Sequence, residues 1–572
     1  MTQADSTTGA QGDGNPSPPA RKRAWQGFSG LASMPHHLII GAALFVLSLC
    51  FNLYRLGTPS IWFDEAFSVE LARHPISQVW QIIFGPEPNM ELYYLFLHYW
   101  LALTGFLGLN PTEFVVRLPS AIFAALSTVV VFALGRRFLG TVAGTIGAVL
   151  YLLNYLQLYY DLQTRAYGLQ LLLTCFAWYA LLIALTDERH PRRWWIVYVI
   201  STVLAVYAHL FSILIVCAQF CAVAGLLLLP GSWRTRARRQ ALPFGISLVV
   251  TGVLSIPMLL VSLHGAKTGW LPSPHFGDLI NFIYNMGGYN KIYLLMLGGC
   301  CALGVIIILL ARVPAVGRLQ GPTGRPQGIA PTIPGRVLAF VYSRGDPLRS
   351  PAGAMVWTLL CWFVVPVVVS YIISQGATRL FSARYLVVVV PPLVLLAGLG
   401  IALLRWRALQ VVLAVVMIAS ALAVVPFYYR SVQVEDWNTA VPWLQQHYQP
   451  GDGLVCYDNT VNGAVKQGCQ ISVEYYLHAY PSRAHFTTDA PGAFSWTTYS
   501  APNPDAAVDQ SALAAYAAKH PHLFLIAGRV RDDAAEHRLE AAQQWLTGRY
   551  HLVSEIVTPT VRIWLFDTTS AK

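Results

Sequence analysis

Long apolar runs separated by short polar or basic segments fill the first three quarters of the chain. They lie at 38–56, 114–135, 140–159, 166–186, 241–263, 291–311, 352–374, 385–404 and 408–427. Each approaches the roughly 20 residues a helix needs to cross a bilayer. The longer run 194–230 predicts a helical hairpin turning near His209. A further run covers 93–109, and the basic clusters at 21–23, 136–137, 189–193, 234–239, 312–349 and 405–407 decide its place. If 93–109 crosses the membrane, the clusters at 136–137, 189–193 and 234–239 fall outside, against the positive-inside rule. If it lies at the interface or re-enters, every cluster falls in the cytoplasm. The second solution predicts an α-helical polytopic membrane protein with about eleven transmembrane helices plus juxtamembrane helices.

Three regions follow. Residues 1–35, rich in Gly, Ser, Pro and Thr, are expected to form a disordered cytoplasmic tail. Residues 36–428 form the transmembrane domain. Residues 429–572 mix β-prone runs (Gly453–Tyr457, His522–Ala527 and 561–566) with helical patterns (Trp437–His447 and 534–547), which predicts a small C-terminal α/β extracytoplasmic domain. The loops 57–92, 160–165, 264–290 and 375–384 face the same side as that domain. The expected location is the plasma (inner) membrane.

Composition agrees. The chain is 55% hydrophobic and only 11% charged, against about 25% charged in soluble proteins. Too few charges remain to cover several soluble cores, which excludes a soluble enzyme, a disordered scaffold and a disulfide-stapled secreted domain. The net charge of +11 sits in loop clusters facing anionic lipid, with no basic-aromatic groove for nucleic acid. Seven of the nine cysteines lie in apolar runs. Cys456 and Cys469 lie in the polar C-terminal region and can pair if that region is outside the cytoplasm.

Asp64 and Glu65 follow the first apolar run, between bulky apolar residues at the membrane surface. Carboxylates at that depth suit a general base; equally, they decorate a helix N-terminus. Asp161 and Arg165 stand four apart at the external end of two spans and either pair with each other or join a site. Arg117 either snorkels or binds an anion. Lys267, Arg379 and Arg384, beside Tyr385, sit on the external side, where the positive-inside rule places few cations. They suit either lipid headgroups or a phosphate held near an attacking hydroxyl. His209 reads as a core or capping residue; a metal site with Asp64 and Glu65 is weakly supported by the spacing.

The order and spacing of these segments resemble the GT-C type membrane glycosyltransferases, especially the glycosyltransferase 39 family of protein O-mannosyltransferases and the similar lipid A aminoarabinose transferases. The matching features are Asp64-Glu65, Leu92-Tyr93-Tyr94-Leu95, Arg117-Leu118-Pro119-Ser120, Gln163-Thr164-Arg165-Ala166-Tyr167, Arg384-Tyr385 with Pro391-Pro392, and Glu435-Asp436-Trp437. The resemblance implies a GT-C-like fold and a sugar moved from a polyprenyl-phosphate donor to an acceptor hydroxyl of protein, lipid or envelope glycan at the external face. Reaction would invert the anomeric centre, with Asp64 as general base and Glu65 supporting it. Arg117, Arg165, Lys267, Arg379 and Arg384 would hold the donor phosphate. Glu91, Tyr94, Asp161, Tyr167, His209 and Tyr385 are pocket candidates.

Two departures stand out. Met90-Glu91 replaces a pair of prolines frequent in the family, and Gln163 stands where Glu is frequent, so that Asp161 or Glu91 would supply a second acid. The family includes both metal-dependent and metal-independent enzymes, so a divalent cation stays open. A secondary transporter is the alternative function, but it needs ionisable groups near the midplane and repeated halves, whereas these charges sit at span ends.

Overall fold

The computed structural model describes residues 35–85, 87, 89–228, 232–262, 268, 271–310, 352–458, 468–530 and 532–571. The expected tail before Pro35, the stretch 312–349 and Lys267 lie outside the described residues.

The structure is mainly helical. Among the described residues, nine helices are long and apolar enough to cross a membrane. Thr141–Leu152 and Tyr155–Asp161 form a further candidate bent by 57°. The bend has a local cause: the Asn154 side chain accepts from the Leu156 and Gln157 N–H groups, opening a new helix, and donates across to the Met286 carbonyl. The expected hairpin is present, with Pro191–Ala208 broken at His209 from a short 3₁₀ turn, Leu210–Ser212, and Ile213–Leu228. Pro191–Ala208, which opens on Arg192 and Arg193, is not among the candidate spans, so the described residues give nine or ten where about eleven were expected. The Glu91–Phe106 helix, 16 residues long, is not among them either.

Close helix packing depends on small residues. A Cβ on Gly400 would collide with the Cys300 carbonyl of Lys291–Leu310, and one on Gly398 would meet the Ala143 carbonyl at 2.5 Å. Facing outward, Val411, Val412 and Val415 are more than half exposed, a surface suited to lipid.

The segment 57–92 contains two short helices: Phe63–Arg73, with Asp64 and Glu65 in its first turn as one reading of the acidic pair had it, and Ile76–Ile83, which the sequence pattern did not suggest. The C-terminal region builds a four-stranded sheet in the order β1-β2-β4-β3, from β1 (Gly453–Tyr457), β2 (His522–Ala527), β3 (Tyr550–Val557) and β4 (Arg562–Ala571). β1 and β2 are parallel, whereas β4 is antiparallel to both neighbours. β2 is buried almost throughout because both faces are covered. One face carries Leu523, Leu525 and Phe566 toward the domain's own helices. The other carries Phe524, Ile526 and Ile563 into a core shared with Phe63–Arg73, Tyr94 and the Gly468–Ala479 helix. Cys456 and Cys469 form a disulfide linking β1 to the start of that helix.

Replacing Gly400 by Ala is expected to force apart Val390–Ala402 and Lys291–Leu310. The detergent-solubilised protein should lose about 1–3 kcal/mol, read as a lower unfolding temperature.

Candidate active site

The site begins at a buried ion pair. Glu65 is fully buried and Arg117 is 5% exposed. Arg117 donates from Nε to Glu65 Oε1 at 2.8 Å and from Nη2 to Oε2 at 2.6 Å. Its remaining N–H groups reach the carbonyls of Leu56, Pro59 and Ser60 at 3.2, 2.6 and 3.0 Å. A guanidinium has five N–H donors, and all five are occupied. Glu65 also accepts the Thr164 N–H at 2.7 Å. This corrects one sequence expectation: Arg117 has no N–H left for a donor phosphate. Glu65 in turn accepts three hydrogen bonds, two from Arg117 and one from Thr164. Together they clamp the chain around 56–60 and 164 against the start of Phe63–Arg73.

Asp64, one residue earlier, does not join this clamp, and its side chain keeps 17% exposure. Arg384, from a segment 320 residues distant, donates from Nη1 to Asp64 Oδ2 at 2.9 Å. Its guanidinium also lies 5.8 Å from the Trp62 ring centre. Arg165 approaches from the opposite side, its Nη1 donating to the Asp64 carbonyl at 3.2 Å, to Ser68 Oγ at 2.9 Å and to Tyr94 OH at 3.4 Å. Arg165 Nε is buried, with no partner among the described residues. The Asp64 carboxylate therefore holds one guanidinium, that of Arg384, while a second, that of Arg165, holds the Asp64 main-chain carbonyl.

An aromatic wall adjoins them. His209 is fully buried, with ring centres 5.7 Å from Tyr167 and 5.3 Å from Tyr385; Tyr160 packs 5.6 Å from Tyr167.

The C-terminal region closes the other flank. Phe63–Arg73 has no side-chain cap of its own. Glu435 supplies one from across the chain: Oε2 accepts the Phe63 N–H at 3.1 Å and the Trp437 indole N–H at 2.8 Å. A carboxylate there satisfies an orphan donor and complements the helix dipole. Burial pushes the Glu435 carboxyl up, and Arg529, 3.9 Å away just beyond β2, opposes that shift. The Tyr476 hydroxyl meets Ser60 Oγ at 3.0 Å and accepts the Ile61 N–H at 2.9 Å. His478 Nδ1 pairs with Glu70 Oε2 at 2.8 Å.

The structure thus gathers Asp64, Arg165, Arg384, Tyr94, Tyr167, His209 and Tyr385. Other candidates fall elsewhere. Asp161 does not pair with Arg165; it accepts from Tyr151 and Gln157 within the helical core. Arg379 turns back onto the carbonyls of Ser374 and Gly376 in its own loop, which corrects its assignment to the phosphate site. Glu91 is 1% exposed, and neither carboxyl oxygen has a partner. Among the described residues, no three His, Cys, Asp or Glu side chains come together as a metal site. Sequence reasoning did not single out Trp62, Ser68 or Arg529. Only Arg529 carried a signal, as a cation directly after a strand of the expected external domain.

Two expectations follow. Arg117→Ala leaves Glu65 buried and unpaired; a loss of about 3–5 kcal/mol should appear in thermal unfolding of the purified protein. Burial raises the Glu91 carboxyl to about 8 from 4.5. The folded protein then holds a proton that the unfolded chain releases, so stability falls as pH rises between these values. Glu91→Gln should be more stable than the parent at pH 8 and flatten this dependence in melting curves taken across the window.

The sequence of residues 95–260 matches the family model described as dolichyl-phosphate-mannose-protein mannosyltransferase. No curated protein matches the chain in sequence. Among solved structures, ArnT from Cupriavidus metallidurans in the apo state is similar with a TM-score of 0.54 and 13% identity, covering 92% of this chain and 98% of that one. The same protein bound to undecaprenyl phosphate gives 0.53 and 13%, covering 96% and 99%. The chain therefore has the ArnT-like fold of the GT-C type membrane glycosyltransferases, which it resembles in its sequence motifs.

Proposed function

We propose that this protein is a glycosyltransferase that takes a sugar from a polyprenyl phosphate and moves it to an acceptor hydroxyl at the external membrane face. The observation that carries this reading is the meeting of Asp64 with Arg165 and Arg384 from three distant segments. A carboxylate paired with one guanidinium, with a second guanidinium on its main-chain carbonyl and aromatic rings nearby, offers a base and an anion site close together.

In this reading Asp64 takes the proton from the acceptor hydroxyl. The resulting oxygen nucleophile attacks the anomeric carbon on the face opposite the phosphate. The C–O bond to phosphate breaks, and its electron pair leaves with the polyprenyl phosphate. Inversion follows from the single displacement. Arg384 and the unpartnered Arg165 Nε–H stabilise the growing phosphate charge. The lipid carrier is supported by the ArnT structure of matching fold, which is bound to undecaprenyl phosphate.

The Cys456–Cys469 disulfide supports an extracytoplasmic C-terminal domain, because such bonds persist in oxidising compartments. Glu435 and Arg529 of that region then position the helix bearing the base.

Asp64→Asn is expected to lower transfer by about 10²–10⁴-fold while leaving insertion and lipid binding intact. Mass spectrometry of lipid-linked sugars in cells carrying the variant should show donor accumulating and glycosylated product lost. Unchanged turnover would exclude Asp64 as the base.

A further inference from the structure

The helix Phe276–Met286 has two unlike faces. Phe276, Ile280 and Ile283, spaced four and three apart, are 68%, 42% and 41% exposed. Such a stripe suits a helix lying in the membrane interface with its apolar side in lipid. At about 100° per residue, Asp278, Asn281 and Asn285 fall on the opposite side. With Phe282 they form one wall of a groove of about 180 Å³, and Phe381 and Ser382 form the other. The Phe282 and Phe381 rings meet edge to face, with centres 5.9 Å apart.

Both walls are fixed before any ligand arrives. Asp278 Oδ2 accepts the His275 N–H at 2.7 Å where the helix begins, and Asn154 holds the Met286 carbonyl at 3.0 Å where it ends. Opposite, the Leu380 and Phe381 N–H groups both reach the buried Ser374 Oγ at 2.7 Å. Gln375 ties the two walls together, donating to the Pro274 carbonyl at 3.0 Å. This scaffold does not use up the polar groups of the groove. Asn281 is exposed, and Asn285 Oδ1 is buried with no partner among the described residues. An unmatched carboxamide in a rigid groove marks a place for a ligand donor.

The lining narrows the ligand. Among the described residues that line the groove there is no lysine or arginine, and the one charge is the Asp278 carboxylate. A phosphate or uronate would meet that carboxylate and no counter-ion. The two carboxamides and the Ser382 hydroxyl each donate and accept, which suits a ligand whose own groups do both, as sugar hydroxyls do. The phenylalanine rings offer apolar walls to the C–H faces of a sugar. A peptide would need a free backbone edge, whereas a helix spends its backbone groups on itself. The groove also adjoins the site. Ser382 stands two residues before Arg384, so their Cα atoms are at most about 7 Å apart, and Arg384 donates to Asp64 at 2.9 Å. A donor sugar is tied to a phosphate and a lipid tail, which suit neither this lining nor this side of the helix.

We propose that the groove between Phe276–Met286 and Phe381–Ser382 is a subsite for a neutral glycan, which it holds as the acceptor while a hydroxyl of that glycan reaches Asp64. The proposal rests on the glycosyltransferase reading above and adds the class of acceptor.

The test uses the purified full-length protein in lipid nanodiscs. Saturation-transfer NMR is run with neutral manno-, gluco-, galacto- and arabino-oligosaccharides, a phosphorylated manno-oligosaccharide and a peptide rich in serine and threonine. At least one neutral glycan should bind, and the phosphorylated one and the peptide should not. Asn281→Ala and Asn285→Leu should each weaken glycan binding about two- to tenfold and leave undecaprenyl phosphate binding unchanged. If the wild-type protein binds no neutral glycan, or binds the phosphorylated glycan or the peptide as well, the proposal is overturned; these comparisons need no variant to fold. If Asn281→Ala weakens undecaprenyl phosphate as much as the glycan, the groove belongs to the carrier and the proposal falls. If that variant instead removes the gain of undecaprenyl-phosphate mannose over the bare carrier, the groove takes the donor sugar, which also overturns it. Failure of the wild-type protein to bind undecaprenyl phosphate counts against the glycosyltransferase reading alone; glycan binding lost in Asn281→Ala would still support the groove.

Discussion

The site depends on one buried ion pair. Arg117 and Glu65 are both withdrawn from water, and such a pair is sustained only when geometry and further hydrogen bonds satisfy every remaining donor and acceptor. Here they do. Arg117 reaches three carbonyls of the loop after the first span, and Glu65 takes the Thr164 N–H of a segment about a hundred residues further on. The pair thereby joins the loop after the first span, the Glu113–Phe138 helix and the turn before Tyr167. The direction in which Asp64 points is a consequence, since it is the neighbour of the clamped residue on a short helix.

The same short helix is held from its other side by the C-terminal region. Glu435 accepts the Phe63 N–H, Tyr476 accepts the Ile61 N–H, and His478 meets Glu70. The Gly468–Ala479 helix packs so closely that a Cβ on Gly468 would lie 2.9 Å from the Phe63 ring. The disulfide between Cys456 and Cys469 fixes the start of that helix to β1. The sheet and the membrane helices are therefore coupled through the element that carries the proposed base.

Adjacent residues of one type can divide their tasks by burial. Asp64 and Glu65 are chemically alike, yet one keeps contact with solvent and pairs with Arg384 while the other is buried and accepts three hydrogen bonds, two from Arg117 and one from Thr164. The arginines divide in the same way. Arg117 is fully committed, Arg379 holds the carbonyls of its own loop, and Arg165 retains a buried N–H without an acceptor among the described residues. Residue type and proximity to the membrane surface could not separate these roles, because the difference lies in which carbonyls happen to be within reach.

Much of the architecture was legible in the chain itself. Long apolar runs must become helices, since hydrocarbon offers no partner to an unsatisfied backbone group. For that reason the spans, the break at His209, and the strands Gly453–Tyr457 and His522–Ala527 emerged from pattern alone. The edge strand Tyr550–Val557 did not, although its alternation of exposed and half-buried positions is that of a strand covered on one side. The acidic pair was visible as well, as were the arginines and tyrosines around it. What only the tertiary structure decided was the pairing: Glu65 with Arg117, Asp64 with Arg384, and Glu435 with the Phe63 N–H. Hydrophobic periodicity is a local property that a helix or strand expresses by itself. Hydrogen-bond partners hundreds of residues apart exist only after the helices have packed, and no local pattern encodes them.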